Sequence, residues 1–178
     1  MSTYRTWYLS LAALVVVVGP LSAQAQDGPP LKMVYAVWKS TGGASNTMHH
    51  MNKKTYDLVE AYAVLVKDTS GKVEVKDRHN KAGGSPQAMQ AAETIDTAIA
   101  RLSALPANAA DSAAGYRPAS GPASHLSEKD LKKVVSMLSP GESAVLLISP
   151  QPDVAEVQKF MGMGGQGAPE VVVVDLKQ

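Results

Sequence analysis

The sequence predicts an α+β domain built on a mainly antiparallel sheet, and three observations lead to this prediction. Short apolar runs rich in Val, Leu and Tyr alternate with segments of helical periodicity. Two neighbouring runs are separated by the residues DTSG at 68–71, a turn sequence typical of a β-hairpin. The element order, strand-helix-strand-strand-helix-strand, is that of the ferredoxin-like split βαβ sandwich. We therefore expect helices on one face of the sheet, an inserted helix and linker after the hairpin, and an extra C-terminal helix and strand.

Five segments are predicted to be strands, and their hydrophobic patterns differ. They are residues 31–39, 57–67, 72–78, 144–148 and 170–176. In the third, valines alternate with charged side chains, which is typical of a strand with one face in water. The fourth, AVLLI, is apolar throughout, which predicts a central strand buried on both faces. The fifth, EVVVVDL, would extend the sheet at an edge, where a homodimer could form by strand pairing.

Capping residues mark two of the predicted helix starts. Ser85 and Pro86 place a capping hydroxyl before a proline at the first helical position. Ser127 precedes Asp130 by three residues, as in a capping box. Two further short helices are predicted, one within residues 45–56 and one that carries Val154, Val157, Phe160 and Met161. In the helix over 86–104, the spacing of three and four predicts one apolar face formed by Met89, Ala92, Ile95, Ile99 and Leu102.

Composition excludes several classes of function. The 178 residues suffice for one domain, and a formal net charge of +1 provides no basic field that could hold nucleic acid. The sequence contains no cysteine, which excludes disulfides, a thiol nucleophile, iron–sulfur ligation and cysteine-rich zinc sites. A lipoprotein is excluded as well, because no cysteine is present to carry the lipid.

Residues 1–25 have the three parts of a signal peptide. Arg5 supplies the positive start, an apolar run follows over 7–18, and Gly19-Pro20 ends it. Small residues precede the expected cleavage between Ala25 and Gln26. The alternative is an uncleaved membrane anchor, although the run is shorter than the roughly 20 residues that a spanning helix needs. We expect a periplasmic or secreted protein without stable membrane insertion after cleavage.

The mature part, 26–178, is predicted to be a single soluble α+β domain. It contains a low-complexity stretch over 106–124 that is rich in Ala, Pro, Ser and Gly. Such a stretch has little apolar surface to bury, so a flexible linker or surface loop is predicted there.

Two stretches of the mature part carry distinctive sequence patterns. The first comprises LSEKDL at 126–131 and LSPGESAVLLI at 138–148, and the second is the predicted hairpin over 61–75. Both stretches resemble a bacterial family of uncharacterised, often membrane-associated proteins of unknown function. The resemblance covers most of residues 55–176 and implies a ferredoxin-like core. This chain lacks the long glycine-rich apolar stretch of typical members, which argues against a membrane role. The family has no known catalytic residues to carry over.

Met48-His49-His50-Met51 is the most distinctive local cluster. Thioethers and imidazoles suit copper, and Met161 and Met163 could add further soft ligands. On one helix the two methionines would share a face, whereas neighbouring residues diverge by about 100°, so both imidazoles would join one site only in a loop. The alternative is that the methionines pack beneath the helix while the histidines face water.

No catalytic arrangement is recognisable in the sequence. Residues 162–167 match Gly-x-Gly-x-x-Gly by letter, but a predicted helix precedes them and a strand follows, the reverse of the dinucleotide-binding context. No Gly-x-Ser-x-Gly, Ser-x-x-Lys, His-Glu-x-x-His or Walker sequence is present. The leading hypothesis is therefore a non-enzymatic interaction or small-ligand-binding module of the cell envelope that needs no cofactor and has an envelope partner still to be identified. The alternative is a periplasmic protein that binds copper or another soft metal.

Overall fold

The structure, a computed structural model, describes residues 28–104, 125–162 and 167–177. The predicted signal peptide, its cleavage position at Ala25 and Gln26, and the predicted linker over 106–124 lie outside the described residues. Within them the fold is α+β, with one five-stranded sheet. The strands are β1 (Leu31–Trp38), β2 (Ala61–Lys67), β3 (Val73–Asn80), β4 (Ser143–Pro150) and β5 (Glu170–Asp175).

Five α-helices accompany these strands in the described part of the chain. They are α1 (Gly43–His49), α2 (Lys53–Asp57), α3 (Pro86–Ser103), α4 (Glu128–Met137) and α5 (Val154–Gly162), the last entered through a 3₁₀ turn, Gln151–Asp153. Among the described residues, none of these helices has the length and apolar character needed to cross a membrane.

The sheet has the order β3-β2-β4-β1-β5, and every neighbouring pair is antiparallel. Each helical connection therefore crosses one intervening strand: β1 leads to β2 across β4, β3 to β4 across β2, and β4 to β5 across β1. The predicted α+β class and antiparallel sheet are confirmed. The apolar run at 144–148 forms the middle of the sheet in β4, and β5 is an edge strand, both as expected.

Helices cover both faces of the sheet, so the prediction of helices on one face is wrong. Side chains alternate along each strand, and two separate apolar cores result. One core lies under α3 and α4 and includes Tyr35, Leu65 and Leu146. The other lies under α1 and α5 and includes Trp38 and Leu147. Because the three inner strands are apolar on both sides, each face needs its own cover.

The capping residues start the helices as predicted. The Ser85 hydroxyl accepts a hydrogen bond from the Ala88 amide at 3.1 Å, and the Ser127 hydroxyl accepts one from the Asp130 amide at 3.1 Å. The predicted apolar face of α3 needs one correction, because Met89 is 56% exposed. The buried side of α3 is instead formed mainly by Ala88, Ala91, Ile95, Ala98 and Leu102, where small alanines let the helix approach the sheet.

Candidate ligand-binding cleft

A cleft of about 460 Å³ opens between α1, the segment that follows it, and the β2–β3 hairpin. It lies on the sheet face covered by α1 and α5. Its walls include Met48, His49, Met51, Tyr56, Tyr62 and Asp77. Thioether and aromatic groups thus line the inner part, while charged side chains of β3 lie at the rim.

The start of α1 is fixed to the centre of the sheet by Ser143. The Ser143 hydroxyl accepts a hydrogen bond from the Ala44 amide at 3.0 Å and donates one to the Ser40 carbonyl at 2.5 Å. A glycine at position 43 lets this helix approach closely, since a Cβ atom there would lie 2.5 Å from Cβ of Trp38. Fixing this end of the seven-residue helix positions Met48 and His49 in its last turn.

A break between α1 and α2 brings a second set of side chains to the cleft. The sequence predicted one short helix within residues 45–56, but Asn52 interrupts it and caps α2, accepting from the Thr55 amide at 2.9 Å. Met51 lies in this break and is half-buried against the core. Tyr56, in the short helix that follows, faces the hairpin.

A β-bulge in the hairpin supplies the polar wall. Tyr62 lies opposite His79 and Val64 opposite Asp77, but the next pair is Leu65 with Val75, so Lys76 is the extra residue. Because side chains alternate between faces, Tyr62, Val64, Asp77 and His79 share the cleft side of the sheet. The extra residue adds the Lys76 side chain to the same lining.

Tyr62 and Asp77 form the main polar contact of this wall. The Tyr62 hydroxyl donates to Oδ2 of Asp77 at 2.9 Å, and Oδ1 accepts from the Arg78 amide at 2.7 Å. Burial and the hydrogen bond to the Asp77 carboxylate raise the pKa of Tyr62 well above its usual value. Tyr62 is therefore neutral and a hydrogen-bond donor throughout the physiological range.

Tyr56 and His79 form a second polar contact beside it. The Tyr56 hydroxyl lies 2.5 Å from Nδ1 and 2.9 Å from Nε2 of His79, and the ring centroids are 4.5 Å apart. The His79 ring also lies 5.6 Å from the Tyr62 ring, and the two tyrosine rings meet edge to face at 6.3 Å. The three rings form one aromatic cluster, which holds the hairpin against α2.

The four residues of the predicted soft-metal cluster are only partly brought together. Met48 is 8% exposed and Met51 half-buried, whereas His49 and His50 are exposed and their ring centroids lie 5.7 Å apart. Met48, His49 and Met51 line the cleft, and His50 is not part of that lining. Met161 is fully buried in the core beneath α5, and Met163 lies outside the described residues.

A metal site made of harder ligands is absent from the described part of the chain. Within residues 28–104, 125–162 and 167–177, no group of three or more His, Asp or Glu side chains could hold a metal ion. A metal bound in the cleft would therefore depend on thioether ligands, which are suited to Cu(I).

Sequence reasoning missed the hairpin's share of the cleft. Tyr62, Lys76 and Asp77 line the cleft from the two strands of the hairpin, and each was assigned only to a predicted strand. The pairing of Tyr62 with His79 follows once the hairpin register is known, so a register counted outward from the turn could have indicated it. The bulge that adds Lys76 has no comparable signal in the sequence.

The chain was compared with protein-family models, curated proteins and solved structures. No protein-family model matches the chain, and neither a curated protein nor a solved structure is significantly similar to it. The resemblance to the bacterial family described above therefore stays a prediction.

Proposed function

We propose that this chain is a non-enzymatic module of the bacterial cell envelope that binds a small ligand in the cleft between α1 and the β2–β3 hairpin. The observation that carries the proposal is the composition of this cleft. It combines thioethers and aromatic rings with the polar groups of Tyr62, Lys76 and Asp77. The accessible lining is about equally polar and apolar, which suits a ligand with both kinds of surface, and ligand sites in proteins typically use a few polar groups to orient the ligand.

The size and chemistry of the cleft support an amphipathic ligand. A volume of about 460 Å³ lies within the range of about 300–1,000 Å³ that is usual for ligand sites. The edge-to-face rings of Tyr56 and Tyr62, together with Met48 and Met51, suit a flat apolar body. Lys76, whose ammonium group also pairs with Glu74 at 2.7 Å, and His49 line the rim and would donate hydrogen bonds to an anionic group at the end of the ligand.

Anilinonaphthalene sulfonate, a flat apolar dye with one anionic group, is a suitable probe. The proposal predicts that titrating it into methyl-labelled protein shifts the methionine methyl resonances of Met48 and Met51. The Met89 methyl, exposed on α3 at the opposite face, serves as the internal control and should not shift. Shifts of equal size at Met89, or no shift at Met48 and Met51, would exclude the cleft as the site.

A second candidate function is soft-metal binding, favoured by the presence of Met48, His49 and Met51 in one cleft. Two thioethers and an imidazole form a donor set suited to Cu(I). Competition with a chromophoric Cu(I) chelator tests it. Binding should be lost in Met51→Leu and His49→Ala and retained in His50→Ala, because His50 lies outside the cleft lining. Equal loss in all three variants would contradict this assignment.

Export to the envelope is the third part of the proposal. The basic start, apolar run and small residues before Gln26 support cleavage by signal peptidase, and the absence of cysteine is compatible with an oxidising compartment.

We also propose that the fold is a variant of the ferredoxin-like arrangement. The crossover connections that each pass one antiparallel strand support this assignment. The fold differs from the arrangement predicted from the sequence in the position of its helices. Helices α3 and α4 cover one face of the sheet, and α1 and α5 cover the other. An experimental structure that paired β1 directly with β2 would contradict it.

A further inference from the structure

The two edges of the sheet differ in their protection against pairing with another strand. The outer strand β3 carries alternating charges, including Glu74, Lys76 and Arg78, and is interrupted by the bulge opposite Val64 and Leu65. Charged side chains and bulges are the devices by which natural sheets prevent edge-to-edge association. This edge is therefore built to remain unpaired.

The other edge has neither device. Strand β5 contains four consecutive valines, and its charged residues, Glu170 and Asp175, lie only at its ends. Its register with β1 runs without interruption from Lys32 with Asp175 to Val37 with Glu170. Valines 171–173 are half-buried and pack against the cores on the two faces of the sheet, and among the described residues β1 is the only strand that pairs with β5. The valines on both faces of β5 match the two cores, one on each face of the sheet, and they leave the middle of this edge without a charged side chain that would oppose a further strand.

We propose that β5 pairs antiparallel with β5 of a second copy of this chain, so that the two sheets become one continuous sheet. This goes beyond the proposed ligand binding and does not depend on it. The pairing is isologous, and its two-fold axis is perpendicular to the sheet. Two-fold symmetry is the commonest symmetry of protein oligomers.

The sequence of β5 is complementary to itself under this symmetry. An axis perpendicular to the sheet keeps each face continuous, so residues opposite one another across the axis must belong to the same face. Glu170 shares a face with Val172, and Asp175 shares the other with Val173, so the two carboxylates never lie directly opposite each other. Valine lies opposite valine instead, a favourable cross-strand pair. A second copy therefore fits this edge without repulsion between like charges.

Sedimentation velocity tests the proposal on protein that is purified after expression of the full chain. We expect a concentration-dependent dimer that Val172→Lys converts to a monomer. Val75→Lys is the matched control, because Val75 is 45% exposed on the other edge strand and its replacement should leave the dimer intact. A wild-type protein that stays monomeric at every concentration, or equal effects of the two substitutions, would overturn the proposal.

Single cysteines provide a second test that does not require a disruptive side chain. The chain has no cysteine of its own, so any disulfide in a single-cysteine variant joins two copies. In the series Val171→Cys, Val172→Cys, Val173→Cys, the residue nearest the two-fold axis should cross-link most, because only there do equivalent Cβ atoms approach closely. Val75→Cys should not cross-link. Absence of cross-linking throughout the β5 series, or equal cross-linking at Val75→Cys, would contradict β5 pairing.

Discussion

The hydroxyl of Tyr62 donates a 2.9 Å hydrogen bond to Oδ2 of Asp77, and the two residues belong to adjacent strands, two register positions apart on the same face of the sheet. Tyr62 is directly opposite His79, while Asp77 is opposite Val64 and adjoins the bulged residue Lys76. The contact therefore fixes the polar wall of the cleft at the point where the hairpin departs from regular pairing.

Replacing Tyr62 with Phe should destabilise the protein modestly. The substitution removes a hydrogen bond to a charged group, and the solvent exposure of Asp77 limits the contribution of that bond, so we expect a loss of about 1 kcal/mol in the free energy of unfolding. Urea unfolding at neutral pH measures this loss. Tyr35→Phe, which removes a tyrosine hydroxyl that has no hydrogen-bond partner among the described residues, is the matched control for the chemical change. An unchanged or increased stability of the Tyr62 variant would show that the contact contributes nothing.

Removing the Tyr35 hydroxyl should stabilise the protein. Tyr35 is fully buried under α3 and α4, and its hydroxyl has no hydrogen-bond partner among the described residues. Tyr35→Phe should therefore raise the free energy of unfolding by about 1 kcal/mol, because an unpaired polar group leaves the core without creating a cavity. Urea unfolding measures the free energy of unfolding of Tyr35→Phe and of Tyr62→Phe for comparison. A loss of stability in Tyr35→Phe would contradict the prediction and indicate that the hydroxyl has a hydrogen-bond partner.

Stability should fall at alkaline pH. Burial and the nearby Glu142 carboxylate raise the pKa of Tyr35, and burial with the Asp77 hydrogen bond raises that of Tyr62. A tyrosine in the unfolded chain loses its proton near pH 10, whereas these two keep theirs when folded, so rising pH above about 10 favours unfolding. The decline should be shallower in Tyr35→Phe and Tyr62→Phe. The free energy of unfolding of wild type and of both variants can be measured from about pH 8 to pH 11. The same decline of this free energy with pH in all three proteins would contradict the prediction.

Gly43→Ala should disturb both stability and the cleft. Its Cβ would lie 2.5 Å from Cβ of Trp38, so either α1 or the indole must move, at a cost of about 1–3 kcal/mol. Gly162→Ala is the matched control, because a Cβ at this helical position meets nothing within 4 Å. We expect the control to be neutral or slightly stabilising. Thermal unfolding of the two variants distinguishes them, and equal transition temperatures would contradict the close approach.

The predicted cleavage after Ala25 can be tested by expressing the full-length chain in a bacterial host. Mass spectrometry of the protein in the periplasmic fraction should show a chain that begins at Gln26. Ala23→Arg together with Ala25→Arg should prevent cleavage, because signal peptidase requires small residues at these positions. A cytoplasmic, uncleaved wild-type chain would exclude export.

Local structure was predictable because it depends on neighbouring residues. The caps at Ser85 and Ser127 are visible within a few residues of each helix start. The apolar run of β4 likewise shows within one short segment that the strand is buried. The location of the helices was not predictable in the same way. Which face a connecting helix covers depends on strand order, and that order is set by contacts between residues distant in the sequence.

The candidate cleft shows the same division. Met48, His49 and Met51 were predictable as a cluster because they are neighbours in the sequence, and all three line the cleft. Tyr62 and Asp77 complete it only through the hairpin register and its bulge, which are tertiary properties. Met89 shows the opposite error, since helical periodicity placed it in the core whereas the alanines beside it are the residues that pack.

The most direct test of the proposed function is a fluorescence titration of anilinonaphthalene sulfonate into wild-type protein, Met51→Glu and Met89→Glu. Both substitutions introduce the same charge, one in the cleft wall and one on exposed α3. The account predicts saturable binding that is weakened at least about tenfold, or about 1.4 kcal/mol, in Met51→Glu and unchanged in Met89→Glu. Equal affinity in all three proteins, or no saturable binding by wild type, would contradict the assignment of this cleft as a ligand site.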